Sequence, residues 1–381
     1  MNLQLFQSEP TEQEMDYHVT KIEPTAKEIF SNHIHKGQLI TWHKLKEELS
    51  RKFFIPLEEL KIEGLRKWFE RITKLSFLER WIFSTSLDEL IIHNQNHIQI
   101  SEGLIQEDYS INEISSEDYE MSLMYLALSN NITWNYAKPF ASFLVSFHDK
   151  ELLFRATIVH KSLSPTNSSK LFLRAIRRKI YPRETFFLEH QIEHNLILDK
   201  MLKEKSNILI SGSTASGKTT LLKSMISELS SKEHLVILED THEIMPPHNN
   251  TTNLIANDDL DGRSLDEYCA YALRMKPDRI LLGEIRSKEI IPFILAMNTG
   301  HKGLMATLHA NSARDALQRA ALLFCLYHSG GELSFSDVLK LICQNIDYVI
   351  HLSNRKVTEI IKVYGAEKEN PLIERICMNE V

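Results

Sequence analysis

A short apolar run, Ile208 to Ile210, leads through Ser211 into Gly212-Ser213-Thr214-Ala215-Ser216-Gly217-Lys218-Thr219. Small residues between two glycines let successive backbone N–H groups turn inward, and such a concavity binds phosphate oxygens. Thr220-Leu221-Leu222-Lys223 continues as a helix, whose positive end would point at the same anion. A lysine at 218 would reach the β- and γ-phosphates, and the Thr219 hydroxyl would complete a Mg²⁺ shell. Gly212, Ser213, Thr214, Ala215, Ser216, Gly217, Lys218, Thr219 and Thr220 therefore form a candidate nucleotide-binding segment, with ATP and Mg²⁺ as its ligands. The strand-like run before it and the helix-like run after it supply the context such a loop requires.

Three further strand-like runs end in polar residues. Leu235 to Leu238 ends in Glu239 and Asp240. Arg279 to Gly283 ends in Glu284. Leu304 to Leu308 brings Thr307, His309 and Asn311. Ligands of open α/β sheets bind beyond the carboxyl ends of the strands, so these groups should gather at the phosphate loop. Phosphate-bound Mg²⁺ uses one or two carboxylates, and attack on a γ-phosphate needs a group that orients water. Glu239, Asp240 and Glu284 are the strand-end acids placed for those tasks, and His309 could sense the γ-phosphate by donating a hydrogen bond.

The elements that must hold these groups follow from periodicity. From Glu184 onward strands and helices alternate, which calls for a parallel sheet with helices on its faces. Ile346–Leu352 and Val357–Val363 read as a terminal hairpin. Before it, residues 1–24 read as a loose polar tail and 25–80 as a helical domain. Residues 81–185 read as a small α/β domain, and 186–381 hold the nucleotide-binding fold. Within the small domain a hairpin is expected around Asn94-Gln95-Asn96, a helix over Tyr119–Ser129, and strands over Phe140–Phe147 and Leu152–Val159.

With 381 residues, two or three domains are expected. A hydrophobic share of 43 % and a charged share of 25 % describe an ordinary globular protein. The net charge of −7 argues against nonspecific nucleic-acid binding by the whole chain. No apolar run approaches the ~18 residues of a membrane helix, and the start lacks the basic and apolar regions of a secretory signal. Cys269, Cys325, Cys343 and Cys377 form no CxxC pair, so buried thiols in a reducing cytoplasm are expected.

Five segments, in three groups, resemble one family. Ile237-Leu-Glu-Asp-Thr-His-Glu-Ile244, Leu273-Arg-Met-Lys-Pro-Asp-Arg279 with Gly283-Glu-Ile-Arg286, and Ala296-Met-Asn-Thr-Gly-His301 with Thr307-Leu-His-Ala-Asn-Ser312 resemble the Asp box, Walker B and His box of the type II/type IV secretion traffic ATPases. The Ala296–His301 run is most similar to the tight-adherence (Flp-type) pilus branch, with the type IV secretion branch next. Leu87-Asp-Glu-Leu-Ile-Ile-His-Asn94, Phe172-Leu-Arg174 and Arg355-Lys-Val-Thr-Glu-Ile-Ile361 also match.

The resemblance implies a RecA-like P-loop ATPase domain, preceded by a small α/β domain and a helical N-terminal domain. It implies a homohexamer on the cytoplasmic side of the inner membrane. That assembly would bind the membrane peripherally and work with a platform protein of a pilus or secretion machine. It makes Glu284 the Walker B acid and metal partner, with Glu239 acting from the Asp box and His309 from the His box. Arg174 becomes a candidate catalytic arginine, with Arg177 and Arg178 as alternatives. Ala215 stands where the family usually has glycine, a mild change if its φ is negative. A nucleic-acid motor is the competing class, resting on the basic stretch 174–183, but few aromatics interleave with those charges and no nucleic acid is expected as partner. A nonhydrolysing scaffold would have lost Lys218, Glu239 or Glu284, and all three are present.

Overall fold

The computed structural model describes residues 12–57, 62–103, 105–147, 152–176, 179–188, 194–256, 263–330 and 333–378. Arg177, Arg178 and residues 1–11 of the expected tail lie outside them. The chain divides into two compact units, Met1–Ile176 and Arg177–Val381.

The first unit opens with helices α1 (Glu12–His35), α2 (Trp42–Phe53), α3 (Glu63–Lys74) and the short α4 (Glu79–Ile82). The loose tail expected over 1–24 is thus helical from Glu12 and carries Pro24 in its interior. An interior proline costs about 3 kcal/mol. Against that cost, Ile22, Ala26, Phe30 and Ile34 recur at helical spacing and are all buried. Phe30 packs edge-on against Trp68 and Phe69 of α3, with ring centroids 5.5 and 5.7 Å away.

Strands β1 (Glu89–Asn94), β2 (His97–Glu102), β3 (Ile105–Ser110), helix α5 (Ser116–Ser129), and strands β4 (Phe140–Phe147), β5 (Leu152–Val159) and β6 (Lys170–Ile176) follow. They form a six-stranded sheet of order β3-β2-β1-β6-β5-β4, antiparallel throughout. Helix α5 serves both halves of the unit. Tyr119 and Leu123 join the sheet's core, while Met121 joins the core of α1 to α3. Asp118 at its start accepts the indole N–H of Trp68 at 3.0 Å, which satisfies two buried polar groups at once.

The second unit contains α6 (Asn195–Lys203), β7 (Ile208–Gly212), α7 (Lys218–Ile226), β8 (Leu235–Glu239), β9 (Thr251–Ile255), α8 (Leu265–Ala272), β10 (Arg279–Ile285), α9 (Ile290–Asn298) and β11 (Met305–His309). Helices α10 (Ala313–Tyr327) and α11 (Phe335–Asn345) and strands β12 (Tyr348–Ser353), β13 (Lys356–Glu367) and β14 (Asn370–Met378) complete it. The sheet order is β14-β13-β12-β7-β11-β10-β8-β9, parallel from β12 to β9 and antiparallel at the β12–β13–β14 end.

Successive side chains of a strand point to opposite faces, so the apolar runs feed two cores. Leu209, Ile280, Leu282 and Ala306 pack under α8 to α11. Ile208, Ile210, Leu281 and Met305 pack under α6 and α7. That double burial fixes the strands in register and lines up the carboxyl ends of β7, β11, β10 and β8 side by side. Strands β3, β9 and β14 go beyond the sequence reading. Each lies at a sheet edge, where one unpaired side leaves polar residues tolerable and the apolar pattern weak.

Candidate functional site

Gly212 ends β7 against two neighbours. A Cβ there would stand 2.4 Å from Leu352 O and 2.5 Å from Ser216 Oγ, so only glycine lets the loop close on itself. Gly217 has φ +95 and caps α7, and its open side faces Arg355 in the β12–β13 turn. Ala215 has φ +59. The condition under which its replacement of glycine would be mild, a negative φ, is therefore not met. A left-handed alanine costs roughly 1–2 kcal/mol, because Cβ crowds the next carbonyl.

Lys218 is buried. Its Nζ donates to Ser213 O at 2.8 Å and Gly212 O at 3.1 Å, and stands 3.3 Å from His309 Nδ1. An ammonium can only donate, so Nδ1 is the acceptor and the imidazole proton sits on Nε2. That nitrogen faces Glu284 Oε1 at 2.8 Å. Burial first, and then the Lys218 charge, hold the His309 pKa below the ordinary histidine value. This fits a neutral ring bridging cation and carboxylate. Register explains the meeting: His309 on β11 is the direct partner of Gly212 on β7.

Glu284 is drawn the other way by its neighbours. Burial alone would raise its pKa, but the hydrogen bond and charge of Arg286, with His309 and Lys218, hold it below the ordinary carboxylate value. Arg286 pairs with Glu284 at 2.5 Å and also with Asp240. Glu284 stands near the end of β10 and Arg286 follows directly after that strand, while β8 next to β10 leads into Asp240. Arg286 joins the candidate site, although the Gly283–Arg286 motif by itself assigned it no role. Its i+2 spacing from Glu284 was the available signal.

Glu239 lies deeper, 2 % exposed. Its Oε1 accepts the N–H groups of Glu243 and Ile244 at 3.0 and 2.9 Å, anchoring the loop after β8. Burial raises its pKa. Its Oε2 is buried with His242 Nδ1 no nearer than 3.4 Å, beyond a well-formed hydrogen bond. Ser216 Oγ, inside the loop, is likewise buried with no partner among the described residues. Buried oxygens without a partner, one in the loop and one on the acid that ends β8, suit a site that takes a phosphate and its metal-bound water. Ser213 and Thr214 are exposed, and Thr219 and Thr220 partly so, in the first turn of α7.

Arg174 belongs to the first unit, on β6, opposite Glu89 on β1 and Arg155 on β5. It is half-exposed, with Nε 3.7 Å from Glu89 Oε1.

The family model described as "Type II/IV secretion system protein" matches residues 142–365. The chain is 36 % identical over 191 residues to the type IV secretion system protein VirB11 of Bartonella quintana, covering 45 % of this chain and 53 % of that protein. It is 38 % identical over 154 residues to the type IV secretion system protein PtlH of Bordetella pertussis, covering 39 % and 45 %. The chain thus spans about half the length of the curated relatives it matches. Among solved structures, the Legionella pneumophila ATPase DotB superposes with a TM-score of 0.55 at 18 % identity, over 79 % of each chain. The pilus retraction motor PilT with bound ADP superposes with a TM-score of 0.54 at 18 % identity, over 80 % of this chain and 83 % of that one. These last two likenesses are of fold.

Proposed function

The chain belongs to the type II/IV secretion system protein family, and from that membership we propose that it is an ATP hydrolase driving pilus assembly or protein secretion. The observation that carries this reading is the continuous chain Lys218–His309–Glu284–Arg286 at the mouth of the phosphate loop. In this reading the segment Gly212–Thr220 holds the phosphates of ATP, while Thr219 and Glu284 hold Mg²⁺. The metal, when bound, neutralises charge on the phosphoryl oxygens. Glu284 stays ionised beside Arg286 and so can accept a proton or orient water. His309 reports γ-phosphate to Glu284, because any group that draws Lys218 away frees Nδ1. Glu239 orders the loop after β8 and keeps one oxygen for a water donor.

The remaining expectations stand as parts of the same proposal. The enzyme is a homohexamer, peripheral to the cytoplasmic face of the inner membrane, and docks on a platform protein. None of the helices among the described residues is long and apolar enough to cross a membrane, which suits peripheral attachment. Arg174 is the arginine that reaches nucleotide. Two machines compete for the motor. The Ala296–His301 run favours a tight-adherence pilus, and the VirB11 and PtlH relatives favour type IV secretion. Neighbouring genes for pilin and prepilin peptidase would decide for the first.

The enzymatic proposal is tested by ATP turnover of the purified protein beside Lys218→Ala. Turnover in the parent and its loss in the variant are expected. Equal turnover in both would overturn the reading.

A further inference from the structure

Glu359 lies on β13, four residues beyond the Arg355 turn that faces Gly217 of the phosphate loop. Its carboxylate is buried. Oε2 accepts the N–H of Ala313 at 3.1 Å, and Oε1 accepts Arg375 Nε at 3.1 Å. Ala313 is the first residue of α10, and only Ala310, Asn311 and Ser312 separate it from His309.

That helix already has a local cap, since Ser312 Oγ accepts the N–H of Asp315 at 3.0 Å. A second acceptor, brought from a strand 46 residues away in sequence, is not needed to start the helix. What it does is fix where the helix start sits relative to the sheet. The segment 309–313 is then held at both ends: by the pairing of His309 with Gly212, and by Glu359 at Ala313. Behind the phosphate loop the same carboxylate stands opposite His351 in the β12–β13 register. His351 Nδ1 is 2.9 Å from the hydroxyl of Ser211, the residue before Gly212.

We propose that Glu359 is a positioning residue that ties the start of α10 to β13 and so sets the place of the His309 ring between Lys218 and Glu284. The inference rests on the reading that His309 works at the nucleotide, but the placement itself is testable without nucleotide.

The test uses the full chain with ¹³C-labelled histidine and no nucleotide. The His309 ring signal is assigned by its loss in His309→Gln. Glu359→Ala should move that signal. Glu359→Gln keeps an oxygen for the Ala313 N–H and should leave the signal near its parental position. Affinity for a fluorescent ADP analogue should stay within about twofold, while ATP turnover falls about tenfold, as expected for a misplaced rather than missing group. In a His309→Gln background the Glu359→Ala loss of turnover should vanish, which a merely destabilising change would not do. Should Glu359→Ala not fold, Glu359→Asp, one methylene short of Ala313, takes its place with the same outcomes. An unmoved His309 signal in the folded variant overturns the proposal. If the parent hydrolyses no ATP, the functional reading fails while the ring signal still decides this one.

Discussion

Lys218 Nζ and His309 Nδ1 stand 3.3 Å apart although one opens a helix and the other closes a strand. The lysine therefore spends part of its donor capacity on a ring whose other nitrogen faces Glu284. Whatever competes for the lysine changes the hydrogen bond available to that ring, and through it the carboxylate. In the proposed reading, one imidazole would link nucleotide state to the catalytic acid.

Glu284→Gln should retain nucleotide and lose hydrolysis. The amide keeps the size of the side chain and removes the charge that Arg286, His309 and Lys218 all face. Turnover should fall by at least about 10²-fold, the scale of a lost general base, with affinity for ADP little changed. Measuring both on one preparation checks it, and parental turnover would remove Glu284 from the mechanism.

The neutral state of His309 has a consequence for stability. Its folded-state pKa lies below the unfolded value, so the unfolded chain binds the proton more readily as pH falls through about 6.5. Stability should therefore decline on acidification from about pH 7.5 to 6, and recover as pH rises. His351, lowered first by burial, adds in the same direction. His309→Gln should make the decline shallower without abolishing it. Urea midpoints at the two pH values test this, and equal declines in parent and variant would contradict it.

The parallel core was legible because its strands are buried on both faces, which leaves unbroken apolar runs such as Leu235–Leu238 between polar ends. Phe140–Phe147 and Leu152–Val159 were legible from composition, and β4 and β5 have those bounds. The edge strand β9, Thr-Thr-Asn-Leu-Ile, carries no such run and was not. Lys218, Glu284 and His309 could be named because a strand's carboxyl end is visible in sequence. Their order across the sheet is not, so the contact of Asp240 with Arg286 and the cap of Glu359 on Ala313 could not be read. Both depend on which strands become neighbours, a choice made by tertiary packing. Pro24 misled for a related reason: a local breaker was outweighed by buried contacts made elsewhere.

Ala215→Gly should stabilise the protein. Relief of the left-handed strain is worth roughly 1–2 kcal/mol, and the extra freedom of glycine in the unfolded chain takes back about 0.4–1 kcal/mol. A net gain of about 0.5–1 kcal/mol is expected in urea denaturation, since the side chain is exposed and gives up little packing. A net loss would mean that the Cβ makes contacts worth more than the strain.

Arg174 is loosely held on β6 of the first unit. On β6 it faces Glu89 at 3.7 Å, a partly exposed pair worth little on its own. The side chain is therefore easily given up to a stronger partner. A guanidinium keeps its charge and meets phosphate oxygens with a two-pronged fork, which suits stabilisation of a transferring phosphoryl group. Arg174→Ala should retain nucleotide binding and lose about 10³-fold in turnover, the scale of a positioned arginine. Arg174→Lys should recover only a small part, because the point charge lacks the fork. Glu89→Gln should leave turnover at or above the parent's, since it removes only the resting partner. If the arginine serves a neighbouring subunit, mixing Arg174→Ala with Lys218→Ala restores activity, because hybrid sites then pair an intact loop with an intact arginine. Unchanged turnover in Arg174→Ala would end the assignment. Loss without rescue, in assemblies shown to be mixed, would move the role to the arginine's own subunit.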